Sequence, residues 1–381
     1  MGTNGFATVS THVMRVALIV PGGVDRFGEY RVIPALLALI ERLARAHEVQ
    51  VFALRQAAEA DSWDLVGARV HNIGLPYSHL RAIRALRSAH RSSRFDLVHA
   101  IWSGACGFVA VTTAKMLRIP SLIHIGGGEL VSLPDIGYGG SLRWRSRVRE
   151  KFVLRAASMV TAASAPVIRE LQRLGVRAER VPLGVDLDAW PSREPRQRSA
   201  GECARLIHVA SLNRVKDQTT LLFALAELAK SGTRFEIQIV GEDTLGGEVQ
   251  ELAGRLGISE RITFHGFVPQ RRLRALVAAA DLMIMASRHE AGPVAMLEAA
   301  VVGVPTVGTA VGHIAEWAPN AATSVAVGDA AALARAIGML LAQEEERLHI
   351  ACEAQRRATR EDADYTARRF QALYQRLAAA G

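Results

Sequence analysis

Residues 281–309 read DLMIMASRHEAGPVAMLEAAVVGVPTVGT. The run 281–287 is apolar enough for a buried strand, 291 to about 302 has the composition of a helix, and 304–309 reads as a second strand. Strand, helix and strand in that order imply a parallel sheet with a crossover helix. Ala291, Gly292 and Pro293 open the helix, and proline is tolerated in a first turn because its missing N–H had no helical partner. Free amides and the positive end of the helix dipole make this terminus an anion site. Glu290 and Glu298 flank it, about 12 Å apart along the axis if both are helical. That span matches the reach from a sugar across a diphosphate to a ribose, and carboxylates accept paired hydroxyls well. The plain alternative is two solvated glutamates on one helix.

The same alternation runs outward in both directions. Residues 13–20, 48–54, 95–101, 121–125 and 158–164 read as strands, with a helix over 32–46. Around 187–202, in LDAWPSREPRQRSAGE, the pattern lapses into charged and proline-punctuated sequence, placing an interdomain linker at 191–202. Strands then return at 204–211, 235–241, 262–268, 281–287 and 304–309, with helices near 217–230 and 246–256. The expectation is two doubly wound parallel-sheet domains, 1–190 and 203–360, facing a cleft, with a last amphipathic helix in 361–381. Such sheets bind ligands at the carboxyl ends of their strands.

Composition agrees with a two-domain globular chain. Of 381 residues, 50% are hydrophobic and 22% charged, which supplies ample core and argues against disorder. Cys106, Cys203 and Cys352 lack metal-ligand or disulfide spacing and suit a reducing cytoplasm. The early apolar run 16–20 stops at Pro21 and is too short for a leader or a membrane span. Charge is uneven: residues 1–200 hold 27 Lys and Arg against 16 Asp and Glu, so the net +9 belongs to the first half. Arg81, Arg84, Arg87, Arg91 and Arg94 recur at helical spacing, and LRWRSRVREKFVLR (142–155) sets Trp144 among cations. A basic helix face with an aromatic fits an anionic membrane surface or acceptor, or else a solvated face. No nucleic-acid-binding motif accompanies it.

The stretch SRHEAGPVAMLEAAVVGVPTVGTAVGHIAEW resembles the E-x7-E region of the retaining nucleotide-sugar glycosyltransferases of family 4, and the two-sheet layout is similar to their GT-B fold. The resemblance implies transfer of a sugar from a nucleotide diphosphate donor, a UDP- or GDP-sugar, to an acceptor hydroxyl with the anomeric configuration kept, and with no metal or further cofactor. It implies that Glu290 holds donor-sugar hydroxyls, that amides from Ala291, Gly292, Pro293 and Val294 meet sugar and diphosphate, and that Glu298 holds the ribose. In VASLNRVKDQTTLL (209–222) it puts Lys216 on the diphosphate. The family's usual arginine aligns with Ser211, so its role passes to Arg214. In HGFVP (265–269), after Gly266, main-chain groups of Phe267 and Val268 read the base.

In the first domain, Gly22 and Gly23 end a strand where backbone can approach a ligand closely. In PSLIHIGGGELVSLP (120–134), where the family carries a histidine, a glycine and then an acid, this chain has Gly126, Gly127 and Glu129, with His124 two places earlier. Period-two alternation puts His124 on the face of position 126, in reach of the cleft, unless it is a core histidine. By analogy the last helix packs across onto the first domain. The function expected is glycan or lipid-linked acceptor glycosylation in bacterial polysaccharide or glycolipid assembly, in the cytoplasm or at the inner membrane face. A nucleotide-sugar epimerase or a non-enzymatic two-domain sugar-binding protein shares the architecture. A dinucleotide dehydrogenase is disfavoured, because VPGGVDRFG lacks the G-x-G-x-x-G fingerprint.

Overall fold

The structure, a computed structural model, describes residues 13–76, 78–199 and 201–379. The first sheet holds β1 (Arg15–Val20), β2 (Glu48–Ala53), β3 (Asp61–Leu65), β4 (Ala68–Asn72), β5 (Leu97–Ile101), β6 (Ser121–Ile125), β7 (Met159–Ala162) and β8 (Glu179–Arg180). Their spatial order is β3-β4-β2-β1-β5-β6-β7-β8. The second holds β9 (Ala204–Val209), β10 (Phe235–Val240), β11 (Ile262–Phe264), β12 (Leu282–Met285), β13 (Thr306–Thr309) and β14 (Thr323–Val325), in the order β11-β10-β9-β12-β13-β14. Both sheets are parallel except at one edge, where β3 and β4 pair antiparallel. This hairpin is invisible in the sequence pattern. Its turn puts Val66 (φ 43°) and Gly67 (φ 82°) in the left-handed region, and a valine does not signal such a turn.

Helices cover both faces of each sheet. On the first they are α1 (Pro34–Ala44), α2 (His79–Ser92), α3 (Phe108–Leu117), α4 (Trp144–Ala156) and α5 (Ala165–Arg173). On the second they are α6 (Gln218–Lys230), α7 (Glu248–Arg255), α8 (Gln270–Ala278), α9 (Val294–Val301), α10 (Gly312–Trp317), α11 (Ala330–Ala342) and α12 (Glu344–Arg360). The last helix, α13 (Ala363–Ala379), returns to the first domain. Its Phe370, Leu373, Tyr374 and Leu377 join the core formed by α1 and β1, while α2 to α5 cover the opposite face. The crossover starts earlier than 191, because Val185 and Trp190 already pack in the core of the second domain.

Each sheet reverses its strand order once, between β1 and β5 in the first and between β9 and β12 in the second. Loops leaving these strands diverge above and below the sheet and open a crevice at the carboxyl ends. Gly22 and Gly23 leave β1 and Trp102 leaves β5. In the second domain, Lys216 follows β9 and Glu290 follows β12.

Candidate functional site

The two loops at the second switch point bring Lys216 and Glu290 together. Lys216 Nζ lies 2.6 Å from Glu290 Oε1, and Ser287 Oγ donates to the same oxygen at 2.7 Å. Among the described residues no hydrogen bond or ion pair reaches Oε2. The loops are also laced by backbone, Arg288 N–H donating to the Val215 carbonyl at 2.8 Å. Pro293 caps α9 in extended geometry (φ −69°, ψ 109°), so the helix starts at Val294 and not at 291. Glu290 is therefore a loop residue, and the axial spacing expected for two helical glutamates does not apply. Gly292 is needed for packing: a Cβ there would sit 2.9 Å from Ala163 of the first domain and from His313 Nε2.

Instead, the two glutamates mark separate cavities. Glu298 lines a cleft of about 1200 Å³ between the domains, with His265, Val268, Gln270, Trp190 and Val294. Glu290 lines a smaller one of about 340 Å³ with His289, Gly127, Glu170 and Gly312.

Glu298 is almost fully buried, and burial pushes its carboxyl up to about 7 against the lowering effect of the Gln270 amide. Gln270 Nε2 donates to Glu298 Oε1 at 3.0 Å and its Oε1 accepts from Trp190 Nε1 at 3.0 Å. In the unfolded chain this carboxyl loses its proton near 4.5. Between 4.5 and 7 the folded state thus holds a proton that the unfolded state has shed, and stability falls as pH rises through that window. Glu298→Gln is expected to flatten this decline by up to about 3 kcal/mol at pH 8. Thermal melts of both proteins at pH 5 and 8 check it; equal slopes would remove Glu298 as the cause. Glu150, also pushed to about 7 by burial, leaves a residual slope in both.

Other expected residues fall elsewhere. Arg214 is exposed, pairs with Glu248 of α7 at 2.8 Å and lines neither cavity. Ser211 lines neither cavity; its carbonyl accepts from Gln218 Nε2 at 3.2 Å. His124 is fully buried, its Nδ1 3.0 Å from Thr161 Oγ1 and its ring edge-on to Phe370 at 5.6 Å. Burial lowers it to about 3. The reading that took it to the cleft is corrected: a mid-strand side chain stands on the face of the sheet, and α13 covers that face. Glu129 faces inward as well. It accepts the N–H groups of Gly127 (2.7 Å), Ser103 (3.3 Å) and Gly126 (3.4 Å), bracing the glycine loop, while burial raises its carboxyl.

Gly127 does reach the site, its carbonyl accepting from His289 Nε2 at 3.2 Å. Burial lowers His289, consistent with a neutral ring donating there. Gly126 and Gly127 make room for Trp102, whose indole lies 3.0 Å from where a Gly127 Cβ would stand. Trp102 itself is in the left-handed region (φ 69°), the kind of strain that gathers at functional sites. Gly23 (φ 81°) serves its turn, a Cβ there meeting Ile33 at 2.7 Å; Gly22 lies against Gln56. Gly266 (φ 62°) bends the loop after β11, where Val268 lines the large cleft while the Phe267 ring meets Tyr30 across the gap at 5.8 Å.

The sequence reading missed Ser287, Arg288, His289, Gln270, Trp102 and Tyr138. Arg288 pairs with Asp135 of the first domain, and Ser164 Oγ donates to the Ala291 carbonyl at 2.5 Å, so the domains touch at the site. Tyr138 stands beside Glu290 and Glu129; burial first, then both carboxylates, push its phenol up to about 12. Position directly before Glu290 was the one sequence cue to His289.

Two family models span most of the chain: Glycosyl transferases group 1 over residues 193–357 and Glycosyl transferase 4-like domain over 32–184. The D-inositol 3-phosphate glycosyltransferase of Xylanimonas cellulosilytica is 28% identical over 293 residues, 70% of this chain and 68% of that protein. The aligned stretches span 61% to 68% of the length of the curated relatives first matched. Among solved structures, sucrose-phosphate synthase from Thermosynechococcus elongatus superposes with a TM-score of 0.81 at 20% identity, over 97% of this chain and 100% of that one. Anabaena HepE in complex with UDP and glucose superposes with 0.74 at 18% identity, over 95% and 99%. The chain belongs to the family-4-type glycosyltransferases and has their GT-B fold.

Proposed function

We propose that the protein moves a sugar from a nucleotide diphosphate donor to an acceptor hydroxyl with retention of anomeric configuration. The observation that carries this reading is the pair of cavities, each with its own glutamate, with the Lys216 ammonium 2.6 Å from Glu290 of the smaller one. In this reading the nucleoside occupies the larger cleft, its ribose hydroxyls on Glu298 and its base against the main chain of Phe267 and Val268. The diphosphate meets the amides from Ala291 to Val294 and the Lys216 ammonium. The sugar hydroxyls bond Glu290.

Departure of the nucleotide builds negative charge on its phosphate, and a fixed cation stabilises that charge more than it stabilises the bound donor. A double displacement needs a carboxylate free to attack the anomeric carbon. In this reading Glu290 is engaged by Lys216, Ser287 and the donor-sugar hydroxyls, and Glu129 by three backbone N–H groups, which favours a front-face route. There the leaving phosphate oxygen takes the proton of the acceptor hydroxyl as that hydroxyl bonds to carbon on the same face. The biosynthetic setting that suits this chemistry is bacterial polysaccharide or glycolipid assembly.

A thermal-shift screen against UDP-, GDP-, ADP- and dTDP-sugars tests the donor. A ligand that binds only the folded state at a hundred times its Kd adds about 2.7 kcal/mol and raises Tm. At least one of the four should do so; no shift with any of them removes the nucleotide-sugar reading.

A further inference from the structure

α10 begins against the loop that carries Glu290. Its first residue, Gly312, has φ 50°, and a Cβ there would stand 2.9 Å from the Glu290 carbonyl oxygen and 3.1 Å from Pro293 Cδ. His313 follows, buried, with Nε2 2.9 Å from where a Gly292 Cβ would be. Three residues on is Glu316, whose side chain is 7% exposed.

The Glu316 carboxylate collects partners from both domains. In the first, Arg180 Nε of β8 lies 2.7 Å from Oε1, and the Ala165 N–H at the start of α5 donates to Oε2 at 2.8 Å. In the second, Arg357 of α12 also pairs with Oε1, its guanidinium 5.0 Å over the Trp317 ring. Arg180 in turn makes a two-pronged pair with Glu361, between α12 and α13, at 2.8 and 2.6 Å. The two guanidiniums and two carboxylates balance. Burial would raise the Glu316 carboxyl, but the His313 ring, the Ala165 amide and Arg180 bring it down to about 2, so it is ionised at any working pH.

Both ends of this connection belong to one cavity. Pro166, next to the amide that Glu316 holds, and Gly312, at the start of α10, both line the small cavity of Glu290. Ser164, on the other side of Ala165, donates to the Ala291 carbonyl at 2.5 Å. One carboxylate thus joins two walls of the cavity that come from different domains.

We propose that Glu316 is a positioning residue for transfer: by holding α10 to Arg180 and to the start of α5, it fixes the loop 290–293 against the first-domain wall that faces it. It acts through Gly312 and Pro166, and sets the distance between a group held by one domain and a group held by the other. A misplacement of about 1 Å between reacting groups costs about a hundredfold in rate. Exposed ion pairs are worth little, but Arg180 is 21% exposed, and removing one partner leaves the other charge enclosed and less well paired. The consequence for catalysis rests on the proposed function; the docking of α10 does not.

Glu316→Gln keeps the shape of the side chain and removes its charge. Arg180→Gln breaks the same contact from the first domain, and carries the same prediction should the other variant not fold. Assayed well below melting, each should lower kcat for transfer at least about tenfold, while Kd for the stabilising member of the UDP-, GDP-, ADP- and dTDP-sugar screen stays within about threefold. The double variant should resemble the worse single one, since both break one contact. A lower melting temperature with kcat within about threefold of wild type is what a purely structural role predicts, and overturns the proposal. So does a loss confined to donor affinity. Hydrogen exchange tests the docking without substrate: amides of 163–168 and 288–294 should exchange faster in both variants, and unchanged exchange there refutes it. If wild type transfers from no nucleotide sugar, the functional reading fails by itself and exchange still decides the docking.

Discussion

Glu290→Ala is expected to lower kcat for sugar transfer by at least about a thousandfold while leaving the melting temperature within a few degrees. The size follows from what the residue does in the proposed complex. Its carboxylate orients the donor sugar and, through a 2.6 Å contact, fixes the Lys216 ammonium where the departing diphosphate gathers charge. Removing it loses one positioned acceptor and releases one positioned cation. Lys216→Ala should lose about a hundredfold to a thousandfold in kcat with a smaller change in KM, because the charge it meets grows toward the transition state. The double variant should be little worse than the worse single one, since the two act as a unit. Arg214→Ala serves as the contrast: an exposed guanidinium paired with Glu248 should leave kcat within about twofold. Kinetics on the four proteins decide it. Glu290→Ala activity within tenfold of wild type would take that residue out of the mechanism.

The largest expected effect on stability comes from a residue remote from the site in sequence and structure. Phe370→Ala should destabilise the first domain by about 3–5 kcal/mol. Phe370 belongs to α13, follows the whole second domain in the chain, and is fully buried in the first. Its ring packs 4.7 Å from His99 and 5.6 Å from His124, whose own environment is built by that contact. The neighbouring Tyr374 hydroxyl bonds His99 Nδ1 at 2.7 Å. A cavity left there also wets two buried imidazoles that burial holds below their ordinary titration range. Two-domain unfolding need not be two-state, so the measurement is calorimetry resolving both transitions. The transition assigned to the first domain should move down and the other stay; a shift confined to the other domain would refute the packing.

Much of the fold can be read from periodicity. Parallel strands buried on both faces appear as short runs such as VALIV and LMIM, and amphipathic helices separate them, so both sheets and their order along the chain are legible. The elements that escaped are those whose pattern carries no such signal. β3 and β4 contain Asp61, Asp64 and Arg69 on an edge and turn through a valine. β8 has two residues and β14 three.

The site was legible to the extent that its chemistry is local. A glutamate beside a Gly-Pro helix start can be named from sequence because the loop after a strand faces the crevice wherever the sheet reverses; the lysine after β9 is named by resemblance to the family's stretch. The sequence by itself determined the two parallel sheets and the basic character of the first half, and its resemblance to the family named Lys216 and Glu290 as candidates. Tertiary structure alone decided where ionisable groups face. His124 and Glu129 are polar residues in suitable positions along the chain, yet α13 and the glycine loop enclose them, while Arg214 turns outward to Glu248. It also brought Asp135 to Arg288, Gly127 to His289 and Phe370 to His99. A chain pattern reports the period of burial along one element; which element covers a given face is set by packing between residues far apart in sequence, and no local spacing encodes that choice.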